Sequence, residues 1–121
     1  MLNKQSLCLS AHDELYVLDL DRVLYMQADD HYTEVFYTQG THFMIPFGLG
    51  KIEAVIADKK KFSGKLIRLG RKYMVNGDRI FRISSTKEML YLSDDDGSNV
   101  SLHVTKPVLR ILIDQVRQVN L

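Results

Sequence analysis

Guanidinium and ammonium groups crowd one part of this chain. Between Lys59 and Arg82, 24 residues hold nine of the sixteen Lys and Arg and only one acid, Asp78, for a local charge of +8. An Arg fork fits phosphate oxygens or the O6/N7 edge of guanine, and a Lys ammonium serves as a mobile point charge on a phosphate backbone. The chemistry on offer is recognition of a polyanion. The rest of the chain is acidic: residues 1–58 carry three bases (Lys4, Arg22, Lys51) against nine acids, and residues 83–121 carry four bases against five acids. The whole-chain charge of +1 hides this segregation, and binding responds to the local field. The expectation is a basic face from Lys59 to Arg82 and an acidic end at Asp94-Asp95-Asp96 that points away from the polyanion and orients approach.

Within the basic segment, Leu66-Ile67-Arg68-Leu69-Gly70-Arg71-Lys72-Tyr73-Met74-Val75-Asn76 alternates apolar residues with cations. Alternation predicts strand, and Gly70 interrupts the period with a residue free to take positive φ. Arg71 and Lys72 then sit in a tight turn between two apolar strands, whereas Lys59, Lys60 and Lys61 read equally well as a solvated run. Asn76-Gly77 reads as a turn in which the pair supplies positive φ. Tyr73 and Met74 read as core.

The elements that must position these groups are mostly short strands. Alternating or β-branched runs cover Ser6 to Leu9, Leu15 to Leu18, Arg22 to Gln27, Tyr32 to Thr38, Thr41 to Ile45, Ile80 to Ser84, Met89 to Leu92 and Asn99 to Val104. Gln39-Gly40 and Asp94-Asp95-Asp96-Gly97 are hairpin signals. Leu49, Ile52, Val55 and Ile56 space as one face of a short helix. Val108, Leu109, Leu112, Ile113 and Val116 do the same for a C-terminal helix that runs to about Gln118, with Pro107 in its first turn and Thr105 or Lys106 at its cap. With no linker, repeat or low-complexity tract, the 121 residues predict one domain, 1–121.

Other classes find little support. The apolar fraction of 45% is that of a globular protein, and no run approaches a spanning helix. The N-terminal residues lack the apolar stretch of a secretory signal and Cys8 has no partner in the chain, so a reducing, cytoplasmic setting is expected. His12, His31, His42 and His103 are too scattered for a zinc site, Asp94 to Asp96 is too short for a calcium loop, and Gly48-Leu49-Gly50 lacks a dinucleotide context. No enzyme, metal or cofactor is expected.

The segment Arg68 to Asn76 resembles the R-I-H-R-S-Y-L-V-N motif of the LytTR family of bacterial DNA-binding domains. Arg68, Arg71, Tyr73, Val75 and Asn76 agree, Leu69 and Met74 are apolar equivalents, and Gly70 and Lys72 stand in place of the usual His and Ser. Three further stretches resemble family elements in the expected order: Asp21 to Tyr32, Phe47 to Glu53 and Ser101 to Lys106. The resemblance implies a mainly β, elongated arrangement of small packed antiparallel sheets with one short internal helix and a C-terminal helix. It implies loops that enter successive major grooves of double-stranded DNA at paired direct repeats, in the output module of a cytoplasmic transcription regulator.

The family's base-contacting positions fall on His31, Arg71 and Lys106, and backbone contacts are expected from Lys59, Lys60, Lys61, Arg68, Lys72 and Thr105. Lys106 stands where the family usually has Arg and lacks its planar fork. The implied partners are DNA, a second copy on DNA, and a sensor or regulator protein, with no membrane insertion. A receiver domain has no room in this chain, which reads as a stand-alone regulator or a C-terminal piece. The departures at Gly70, Lys72 and Lys106 also suit a rival: a LytTR-like protein-interaction module or antagonist with weak or non-specific nucleic-acid binding.

Overall fold

The structure, a computed structural model, describes residues 5–58 and 66–118. It divides into two compact units, Met1–Gly77 and Asp78–Leu121.

In the first unit, β1 (Ser6–Ala11) and β2 (Glu14–Asp19) form an antiparallel ribbon. β3 (Val23–Asp29), β4 (Tyr32–Tyr37), β5 (His42–Ile45), β6 (Leu66–Leu69) and β7 (Tyr73–Asn76) make an antiparallel sheet in the order β5-β4-β3-β7-β6. Helix α1 (Leu49–Ala57) lies between β5 and β6 in sequence. Alternation sends one side of each strand inward. Met26 pairs with Val35 on β4 and with Met74 on β7, so three fully buried side chains lie abreast. The ribbon adds Leu7, Leu9 and Leu18 to this core, Leu20 follows directly after it, and α1 adds Leu49, Ile52 and Ile56 at helical spacing.

In the second unit, β8 (Ile80–Ser84), β9 (Met89–Ser93) and β10 (Asn99–His103) form an antiparallel sheet in the order β10-β9-β8, and α2 (Lys106–Val116) lies against β8. Leu90, Leu92, Leu102, Leu109 and Leu112 are buried.

Strand limits match the alternating runs to within one or two residues. Both expected hairpins are present: Gln39 and Gly40 take positive φ between β4 and β5, and Gly97 does so between β9 and β10.

Asn76 behaves differently from the turn reading. Neither Asn76 nor Gly77 is among the residues at positive φ. Asn76 is buried at the end of β7, where its Nδ2 donates to the Val23 carbonyl at 2.9 Å. A bulge in β3 between Val23 and Tyr25 lies beyond the last β3–β7 pair, Tyr25 with Val75, and the Asn76 amide bonds the strand past that point. A buried amide with a backbone partner is structural, and its position before glycine is incidental.

Candidate nucleic-acid interface

Two hairpin tips meet at one end of the five-stranded sheet. β3 and β4 are joined by a two-residue turn, Asp30-His31, with Asp30 at φ +57°. The His31 side chain is 93% exposed, and its Nε2 lies 3.7 Å from Asp30 Oδ1. A contact this exposed contributes little to stability and leaves the ring available. β6 and β7 are joined by three residues, Gly70-Arg71-Lys72, with Gly70 at φ +63°. The bend at Gly70 therefore forms as its sequence position suggests. Because β3 and β7 are antiparallel neighbours, the end of β3 lies beside the start of β7, and Ala28 N–H donates to the Lys72 carbonyl at 2.8 Å. His31 and Arg71 thus share one rim. Among the described residues, no hydrogen bond or ion pair engages the exposed Arg71 guanidinium. Lys72 is also exposed, with its ammonium 5.2 Å from the centre of the Tyr73 ring. Tyr73 and Met74 are buried.

Arg68, expected on a phosphate, turns onto its own hairpin. Its Nε donates to the Gly70 carbonyl at 2.9 Å, Nη2 to the Arg71 carbonyl at 3.4 Å, and Nη1 to Glu53 Oε1 on α1 at 3.0 Å.

Lys106 and Thr105 belong to the second unit. Thr105 is the N-cap of α2, but its side chain makes no capping bond. Glu88, in the turn between β8 and β9 at φ +54°, accepts from Lys106 N–H at 2.8 Å. The cap is therefore supplied 18 residues upstream, and a carboxylate there also suits the positive end of the helix dipole. The Lys106 side chain is exposed. Glu88→Ala is expected to cost about 0.5–2 kcal/mol in the unfolding free energy, with Thr105→Ala near neutral. Parallel thermal melts of the two variants check the assignment.

Not every cation of the basic segment is available to a ligand. Arg79 is ion-paired to Asp95 at 2.7 Å and Arg82 stacks 4.9 Å over Tyr91, so these two cations engage the second unit's own side chains. The acidic turn is correspondingly partly neutralised. Ser98 donates to Asp96 from both its hydroxyl and its backbone N–H, which holds that carboxyl below its ordinary value. Lys59, Lys60 and Lys61 lie outside the described residues. Among the described residues no three His, Cys, Asp or Glu side chains cluster as a metal site, and no helix is long and apolar enough to cross a membrane.

Residues 13–112 match the family model of the LytTr DNA-binding domain. The chain belongs to that family. A solved structure, the LytTr DNA-binding domain of a protein described as a methyl-accepting/DNA response regulator from Bacillus cereus, is 22% identical with a TM-score of 0.61. The alignment covers 93% of this chain and 96% of that one, and at this identity the likeness concerns the fold. None of the curated proteins matches.

In this LytTr domain two acids to which the sequence assigned no site role hold the expected contact segments in place. Glu53 and Glu88 organise two of the three expected DNA-facing segments, at separations of 15 and 18 residues from their partners. The helical face of α1 gave a partial signal: Glu53 follows buried Ile52 and therefore lies off the buried stripe. No local pattern marked Glu88.

Proposed function

We propose that this LytTr domain binds double-stranded DNA sequence-specifically through loops, as a bacterial transcription regulator or its DNA-binding module in the cytoplasm. His31, Arg71 and Lys106 meet base edges. Lys72 and Thr105 meet phosphates, joined by Lys59, Lys60 and Lys61. Both units act as one domain over 1–121. Paired direct repeats bring a second copy onto the same DNA, and a sensor or regulator protein supplies the signal.

The observation that carries this reading is the Arg71 tip: an exposed fork with no described partner, on a three-residue hairpin whose carbonyls are all hydrogen-bonded. A guanidinium that is ordered at its base and unspent at its end is suited to bidentate guanine contact. His31, in the adjacent hairpin, widens the same rim.

Selection from a random duplex pool, followed by anisotropy titration across salt, tests it. The selected duplex should bind about 10³-fold or more tighter than a scrambled one, with both affinities falling as salt rises. Equal affinity for all duplexes, or none above that of an acidic control protein, would exclude sequence reading and leave a protein-directed role.

A further inference from the structure

The Gly70-Arg71-Lys72 loop has three carbonyls, and all three are occupied. Ala28 N–H holds that of Lys72, and one guanidinium, Arg68, holds those of Gly70 and Arg71. The remaining arm of the same guanidinium reaches Glu53 on α1. Glu53 is in turn placed by Ile52 and Ile56, which seat α1 in the core. A continuous set of contacts therefore runs from the core through Glu53 and Arg68 to the backbone of Arg71.

We propose that Arg68 and Glu53 form a latch that positions Arg71 for base contact, so that an acid promotes binding to a polyanion. Arg68 is a positioning residue and Arg71 the reader. The proposal rests on the reading that Arg71 meets DNA. Its geometry favours the latch over a phosphate grip, because the Arg68 side chain is only 24% exposed and spends Nε, Nη1 and Nη2 inside the protein. A Lys at 68 would keep the charge but lack the planar fork that spans two carbonyls and a carboxylate.

The sign of one substitution separates the two roles. Glu53→Gln removes a negative charge beside a DNA-binding rim. Simple electrostatics predicts tighter binding to every duplex. The latch predicts about fivefold weaker binding to the selected duplex, with scrambled DNA bound as well as before or better. Arg68→Lys should show the same loss, whereas a phosphate grip would leave it near wild type. Glu53 is half-exposed and Arg68 partly buried, so melting transitions of both variants are recorded beside the binding data and are expected to stay close to wild type.

Amide exchange in the DNA-free domain reports on the latch independently. The Ala28 N–H is protected by the loop carbonyl of Lys72, and a loosened loop should expose it. Faster Ala28 exchange together with lost discrimination in both variants supports the latch. Unchanged Ala28 exchange overturns it. Faster exchange with intact discrimination, in a protein whose Arg71→Ala variant has lost discrimination, overturns its role in DNA reading while the Arg71 assignment stands. Failure of Arg71→Ala to alter discrimination overturns the underlying reading and the latch with it.

Discussion

Arg71→Ala is expected to reduce discrimination between the selected and a scrambled duplex by about 1–3 kcal/mol, roughly fivefold to 150-fold, with a much smaller effect on the scrambled duplex. The reason is geometric. Gly70 at φ +63° turns the chain, three hydrogen bonds to its carbonyls, two from the Arg68 guanidinium and one from Ala28 N–H, hold the loop, and the Arg71 side chain projects from it exposed. Little additional ordering is then needed for a bidentate contact, which is the circumstance in which a fork discriminates between bases. Arg71→Lys sharpens the comparison by keeping the charge and losing the fork. Its non-specific affinity should match wild type and its discrimination should resemble that of Arg71→Ala. Anisotropy competition with the two duplexes measures both quantities.

The largest expected effect on stability is at Ile52. Its side chain is fully buried in the cluster where α1 meets the ribbon and the sheet, and truncation to Ala leaves a cavity there. Ile52→Ala is expected to cost about 2–5 kcal/mol. With a urea m-value of about 1–3 kcal/mol/M for a small protein, the midpoint should fall by about 0.7 M or more with m unchanged. The neighbouring Glu53→Gln, half-exposed on the same helix, should hardly move the midpoint. A functional loss at residue 53 without a stability loss, beside a stability loss at residue 52, would separate the helix's two roles.

Much of this architecture could be read from residue order, for a local physical reason. Short strands with alternating burial, such as Tyr32–Tyr37, and turns built on Gly70 and Gly97 depend on neighbours a few positions away. The amphipathic spacing of Leu49, Ile52 and Ile56 is equally local. What escaped was long-range and polar. Arg68 looks like one more cation in a basic run, and only the fold brings Glu53 and two loop carbonyls within reach of its guanidinium. Asn76 before a glycine has the local signature of a turn, yet its amide serves Val23, 53 residues away in sequence. Charge has the same limit: Arg79 counts with Arg71 in the sum, although an ion pair ties Arg79 to Asp95 while Arg71 projects into solvent. Net charge along a chain indicates a class of ligand, and the partners of each charge determine which ones are available to bind it.

The proposed contact joins Arg71 to a guanine in the major groove. Methylation interference tests it most directly, because a methyl at guanine N7 blocks one arm of the fork and leaves the phosphates intact. On duplexes selected by the wild-type domain, methylation of one guanine per repeat should weaken wild-type binding by about as much as Arg71→Ala does, and Arg71→Ala should bind methylated and unmethylated duplexes alike at that position. The same interference pattern in both proteins, or none in the wild type, would contradict the assignment.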